Sequence, residues 1–158
     1  MKKMVLGISI LMVMIIFTFY LYHLQSIDTK YAINYAKVFG SYDINQVDLY
    51  LSSSTAITYQ GTTKTYEELR DNVINAFHDK NFSMAEDSSY GHAENSFIDK
   101  VQIVGIQSYV DCTNDHEEVY IKMLLERKGI NTFSIKALSS DDEFFGYLFY
   151  GFAEADLK

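Results

Sequence analysis

Apolar residues change their spacing several times along this chain, and each spacing predicts a different element. The chain opens with an apolar run from Met4 to Tyr22 in which no side chain is charged. A helix of this length, at roughly 1.5 Å per residue, spans about 28 Å, close to the thickness of a bilayer's hydrocarbon core. The run therefore predicts an N-terminal transmembrane helix, with Lys2 and Lys3 on the cytoplasmic side.

A cleaved signal peptide is the alternative interpretation of the same run. Such a peptide has a shorter apolar stretch followed by small residues, whereas here the run ends in "FYLYHLQS". We therefore expect residues 1–22 to be an uncleaved signal anchor in the cell membrane and residues 23–30 a short tether. Residues 31–153 are then expected to form one extracytoplasmic domain.

Helical spacing begins after residue 26. Tyr31, Tyr35, Val38 and Phe39 form one apolar stripe, and Gly40 ends the segment. A second, short helix is predicted directly afterwards, because an aspartate at position 43 is a favourable N-cap. Two helices thus open the predicted domain.

The stretch "TYQGTTKTYEEL" combines the end of a strand, a glycine turn and the start of a third helix. Thr65 and Glu68, three residues apart, form a capping box in which each side chain bonds the other's backbone N–H. The apolar stripe of this helix is Tyr66, Leu69, Val73, Ala76 and Phe77.

Strand-like alternation dominates the rest of the chain. After a short strand at residues 82–85 and a long polar loop, "KVQIVGIQSYVD" predicts a strand with a bulge or bend at Gly105. The next two strands are "EVYIKMLLERK" and "TFSIKAL", the second with Phe133, Ile135 and Ala137 facing inward. "EFFGYLFYGF", apolar on both sides, is predicted as a final strand, which lies either at a dimer interface or at the buried centre of the sheet.

The order of elements predicts an α+β domain in which a curved antiparallel sheet packs on three helices. Residues 31–77 resemble the opening half of the nuclear transport factor two-like superfamily, which includes ketosteroid isomerases and polyketide cyclases. That resemblance implies a cone-shaped fold whose curved sheet encloses a pocket. Cystatin-like and pilin-like folds are alternatives with a similar order of elements.

Composition narrows the functional classes. The formal net charge is −8, which disfavours nucleic acid, because binding there depends on neutralising phosphates. Cys112 is the single cysteine, so no internal disulfide or cysteine-based metal site is possible. We expect neither a cofactor nor a metal.

No catalytic constellation is visible in the pattern, but thirteen tyrosines and one loop histidine suggest a pocket lined by phenols. The candidate ligand-contacting residues are Tyr35, Tyr59, Phe77, His92, Tyr109 and Tyr120. We expect a non-catalytic, membrane-anchored binding or assembly module with a protein partner or a second copy of itself. The alternative is a small-molecule isomerase or dehydratase with tyrosine hydroxyls as donors and a small hydrophobic ligand. A small inhibitor that acts through an exposed face is a third possibility.

Overall fold

The computed structural model describes residues 2–79, 81–96, 101–112, 115–129 and 132–151. In these residues, four helices and six strands form one α+β domain. The elements are α1 (Lys2–Gly40), α2 (Ile44–Tyr50), β1 (Ala56–Tyr59), β2 (Thr62–Thr65), α3 (Tyr66–Asp79), β3 (Phe82–Ser96), β4 (Val101–Cys112), β5 (Asp115–Arg127), β6 (Phe133–Ser140) and α4 (Glu143–Tyr150).

The six strands form one sheet in the order β2-β1-β6-β5-β4-β3. The strands from β3 to β6 form an antiparallel meander, and β1 pairs with β2 as a hairpin. β1 lies parallel to β6, so the prediction of a purely antiparallel sheet is wrong. Alternation of apolar and polar residues predicts which side chains share a face of the sheet. It does not predict whether two strands distant in sequence pair parallel or antiparallel.

One face of the sheet is covered by the helices, and we call it the inner face. On β5, Val119, Ile121, Met123 and Leu125 are buried on this face, as the alternation predicts. The residues between them point to the opposite, outer face, which no described helix covers.

Helix α1 is continuous through residues 23–30, which were predicted as a tether. Its C-terminal half is buried along one stripe that includes Tyr35 and Phe39, both 0% exposed. Its side chains from residue 7 to residue 19 are exposed although most are apolar. The side chains of Met4 and Tyr22, the predicted limits of the anchor, lie outside the described part of the structure.

No helix contains, within the described residues, an apolar segment that meets the length needed to cross a membrane.

The two helix N-caps predicted at Asp43 and Thr65 are confirmed at atomic level. The Asp43 carboxylate accepts a hydrogen bond from the backbone N–H of Asn45 at 2.9 Å. In the capping box, the Thr65 N–H donates to Glu68 Oε2 at 2.8 Å, and the Glu68 N–H donates to Thr65 Oγ1 at 3.4 Å. The predicted apolar stripe of α3 is buried along its whole length.

The segment predicted as the last strand is helix α4, which corrects the sequence interpretation. Its residues from Phe144 to Phe149 are all buried. A helix that is enclosed on every side shows no amphipathic period, so its pattern cannot be distinguished from that of a central strand. Gly151 ends the helix in the left-handed region, at φ 68°, and its N–H donates to the Tyr147 carbonyl at 3.1 Å.

The polar segment predicted as a loop after residue 85 belongs to strand β3, with an irregular pairing between Ala85 and Tyr90. β3 is an edge strand, where polar side chains are common, and this explains why its pattern indicated a loop. The hairpin strand β2 was also not predicted.

A bulge or bend was predicted at Gly105, and the bulge is absent because strand pairing continues there without interruption. The bulge lies instead on β6, where Lys136 is left between two consecutive pairs with β5. Ile135 and Leu138 are consequently buried, while Ala137 is only half-buried. The predicted inward position of Ala137 is therefore wrong, because the extra residue reverses the alternation.

Candidate functional site

Aromatic side chains fill the space between the helices and the inner face of the sheet. Phe39 lies 4.6 Å from Tyr35 and 5.6 Å from Phe149, measured between ring centroids. Phe144 and Phe145 are 0% exposed in the same core. The described interior is thus packed with rings at the place where the sequence resemblance implies an enclosed pocket.

Three of the predicted ligand-contacting residues belong to this core. The Tyr35 hydroxyl has no hydrogen-bond partner among the described residues. Burial, and secondly the negative charge of Asp142, raise the pKa of Tyr35, so its phenol stays neutral. Tyr59 packs against Tyr150 at 5.6 Å, and Phe77 lies among the rings of Phe39, Tyr42 and Phe82.

The other three candidates, His92, Tyr109 and Tyr120, lie on the outer face of the sheet. Two of them, His92 and Tyr120, line a groove with a volume of about 580 Å³. The groove is lined by Thr58, His92, Ile103, Gly105, Ile106, Gln107, Tyr120, Ile121, Lys122 and residues 139–142. We call it the outer groove.

A single row of residues across five strands forms the floor of the outer groove. His92 pairs with Gly105, Gly105 with Lys122, Lys122 with Ser139, and Ser139 with Thr58. Because Gly105 has no side chain, the centre of this row is open between the imidazole of His92 and the lysine on β5. A Cβ built on Gly105 makes only an ordinary contact, 3.7 Å from the His92 carbonyl.

A chain of hydrogen bonds borders the groove on one side. Gln107 Nε2 donates to the Tyr109 hydroxyl at 3.2 Å. The Tyr109 hydroxyl donates to Glu118 Oε1 at 3.4 Å, and the Tyr120 hydroxyl donates to the same oxygen at 3.0 Å. These bonds hold Tyr120 in place although 57% of its surface is exposed.

The corner between β6 and α4 forms another border of the groove. Asp142 Oδ2 accepts from the Tyr120 backbone N–H at 2.5 Å and from Ser140 Oγ at 3.0 Å. Asp142 is also the N-cap residue of α4, yet its side chain makes no capping bond and accepts from the Tyr120 N–H of β5 instead. Its carboxylate therefore accepts a backbone N–H of β5 at the point where the pairing between β5 and β6 ends.

The charged groups of the groove are of both signs. Lys122 is exposed and makes no hydrogen bond or ion pair with the described residues, and His92 is exposed beside it across Gly105. Asp141 and Asp142 lie at the border formed by the β6 to α4 corner. A ligand would thus meet donors at the centre of the groove and carboxylates at its border.

The sequence analysis missed most of this groove. Lys122 and residues 139–142 were not among the candidate ligand-contacting residues. A signal for Lys122 was present, since it lies on the same face as Tyr120 two residues away. The position of Gly105 opposite it depends on strand register, which alternation does not reveal.

No group of three or more histidine, cysteine, aspartate or glutamate side chains close enough to hold a metal ion is found among the described residues.

The chain matches no family model, and no curated protein matches it. Solved structures do match. A nuclear transport factor 2 (NTF2)-like protein of unknown function from Shewanella oneidensis has a TM-score of 0.51 at 10% identity, over 75% of this chain and 97% of that one. A protein of unknown function with a cystatin-like fold from Nostoc punctiforme has a TM-score of 0.51 at 14% identity, over 75% and 88%.

A candidate ketosteroid isomerase from Shewanella frigidimarina has a TM-score of 0.50 at 10% identity, over 65% of this chain and 85% of that one. At these identities the likeness concerns the fold alone. The chain therefore has the cone-shaped α+β fold of NTF2-like and ketosteroid isomerase-like structures, and its function must be argued from its own residues.

Proposed function

We propose that this protein is a non-catalytic binding module, anchored in the cell membrane by the N-terminal part of α1, which holds a partner in the outer groove. The observation that carries the proposal is the contrast between the two faces of the sheet. The inner face is filled by rings such as Phe39 and Phe144, both 0% exposed, whereas the outer face is open along a groove of about 580 Å³.

The composition of the groove favours binding over catalysis. Asp142, the half-buried carboxylate at its border, is already engaged with the Tyr120 N–H and Ser140 Oγ. Both bonds involve Oδ2, so this oxygen is already occupied, whereas a general base must present an oxygen to a substrate proton. Tyr35 cannot take that role either, because the raised pKa of its buried phenol keeps it protonated.

The exposed apolar surface of α1 supports the anchor. Leu11, Met12 and Val13 are exposed by 59%, 59% and 65%, and at 100° per residue they point to different sides of the helix. Apolar side chains around a whole helix are expensive in water and favourable in lipid. With the two N-terminal lysines in the cytoplasm, the positive-inside bias places the domain outside.

The proposed partner contact can be tested by photo-cross-linking in intact cells. A benzoylphenylalanine at Tyr120 is expected to form one protein adduct that the same group at Leu49 does not form. Leu49 is the matched control because it is 84% exposed on α2, outside the groove. Gly105→Leu should fill the groove without strain in the sheet and abolish the adduct. An adduct that persists in Gly105→Leu, or forms equally from Leu49, would contradict the proposal.

The anchor predicts resistance to alkaline extraction. The full chain is expected in the membrane pellet, and Val13→Asp is expected to release most of it, because a charge at the centre of a span costs about 3 kcal/mol. Leu49→Asp, at an exposed position on α2, is the control and should remain in the pellet. Release of the unaltered chain by alkali would refute anchoring.

A further inference from the structure

Gln107 has an unsatisfied acceptor at the border of the outer groove. Its side chain is 6% exposed, and its Oε1 has no donor among the described residues. The orientation of the amide follows from its neighbours. The Tyr109 hydroxyl has one proton, which it donates to the Glu118 carboxylate, so it can only accept from Gln107. The nitrogen of Gln107 therefore faces Tyr109, and the carbonyl oxygen is left unpaired.

Within the described part of the chain, Lys122 has unpaired hydrogen-bond donors, whereas Gln107 has an unpaired acceptor. Its ammonium group has three protons to donate and no acceptor among the described residues. It lies on β5 beside the open position at Gly105, and Gln107 is the next residue of β4 on the same face. An unpaired acceptor and an unpaired donor thus border the same gap, and Ile103 on the other side of Gly105 adds an apolar surface.

We propose that the outer groove recognises an uncharged amide group carried on an apolar body. The amide N–H would donate to Gln107 Oε1, the amide carbonyl would accept from Lys122, and the apolar part would lie on Ile103. Gln107 Oε1 is shielded in the free protein, so binding would require rotation about the broad terminal torsion of the side chain. The inference rests on the proposed binding function and names the chemistry that the groove selects.

Charged ligands fit this arrangement less well. A carboxylate pairs with Lys122 but has no proton for Gln107, and it meets Asp141 at the border. An ammonium group satisfies Gln107 but is repelled by Lys122. An amide supplies a donor and an acceptor without a net charge, so it satisfies both groups together.

The test uses the full chain in detergent micelles with isotope-labelled isoleucine methyl groups. Ile103 lines the groove on its outer face and reports binding, while Ile57 and Ile135 lie outside the groove lining and serve as internal references. The probes are hexanamide, hexanoate, hexylammonium and heptan-2-one, which keeps the carbonyl of the amide and lacks its N–H. Hexanamide is expected to bind about fivefold more tightly than the ketone, the factor that one hydrogen bond contributes.

Substitutions identify the two contacts. Gln107→Met should remove the preference for hexanamide over heptan-2-one, and Lys122→Met should weaken both ligands by about fivefold. Lys136→Met is the matched control, because Lys136 is exposed on the same sheet but does not line the groove. Lys122 is also exposed, so its substitution tests the inference without endangering the fold.

Two capped tripeptides, Leu-Gln-Leu and Leu-Glu-Leu, distinguish the possible sources of the amide. Displacement of hexanamide by the glutamine peptide alone would identify a side chain of a protein partner, and displacement by neither would identify a small free amide. The inference is overturned if hexanoate or hexylammonium binds as tightly as hexanamide, if Gln107→Met keeps the preference, or if no probe shifts the Ile103 methyl groups. None of these results decides the proposed binding function, which the cross-linking experiment tests independently.

Discussion

Phe39→Ala is expected to lower the free energy of unfolding by about 4 kcal/mol, in the usual range for removing a buried phenylalanine. The Phe39 ring is 0% exposed and joins three helices, because it contacts Tyr35 on α1, Phe77 on α3 and Phe149 on α4. A loss of this size is a large part of the 5 to about 15 kcal/mol typical of a whole domain. Chemical denaturation of the full chain in micelles, followed by tyrosine fluorescence, measures it.

Leu49→Ala is the matched control for the Phe39 substitution. Leu49 is 84% exposed, so its truncation removes almost no contact and should change stability by less than about 0.5 kcal/mol. A Phe39→Ala protein as stable as the Leu49→Ala protein would show that the space between the helices and the sheet is not the packed core described above. It would also reopen an enclosed pocket as the site of binding.

Gly146→Val is expected to destabilise the domain by about 3 kcal/mol, the upper end of the usual cost of overpacking. A Cβ at Gly146 would lie 2.5 Å from Cζ of Tyr59 and within 2.9 Å of two other ring atoms. The ring cannot move away freely, because Tyr59 packs against Tyr150 at 5.6 Å between centroids. Glycine is ordinarily unfavourable inside a helix, so its presence at the centre of α4 reflects this close contact.

A double-mutant cycle with Tyr59→Ala tests the cause of that effect. If the clash with the ring is responsible, Gly146→Val should cost far less in the Tyr59→Ala background than in the native one, a coupling above about 1 kcal/mol. Gly105→Ala is the glycine control, since its Cβ would lie 3.7 Å from the nearest atom. Additive costs in the cycle would mean that Tyr59 is not the group that excludes a side chain from position 146.

Much of the local structure could be predicted because it depends on neighbours in the sequence. The capping box of Thr65 and Glu68 forms as the residue types require, and Asp43 caps α2 through a bond to a residue two positions away. The alternation of β5 predicted its buried face correctly because every second residue of a strand shares a face. Capping depends only on side chains within one helical turn, and the buried face of a strand depends only on its two-residue repeat.

The errors have a different origin. The apolar segment of α4 is uniformly hydrophobic because it is enclosed on all sides, and a pattern without a polar face carries no period. Tyr35 and Tyr59 were expected in a pocket because tyrosine suits amphipathic sites, yet both are packed among other rings. Whether a ring lines a cavity or fills it depends on the elements that pack opposite.

The sequence by itself determined where helices begin and end around the capped turns, which residues of α3 and β5 face the core, and an apolar N-terminal helix. Only the tertiary structure decided that β1 runs parallel to β6 and that His92, Gly105, Lys122, Ser139 and Thr58 form one row. The physical reason is the distance along the sequence over which each interaction acts. Capping and alternation act over a few residues, whereas a row across five strands exists only after strand order and register are set by packing against the helices.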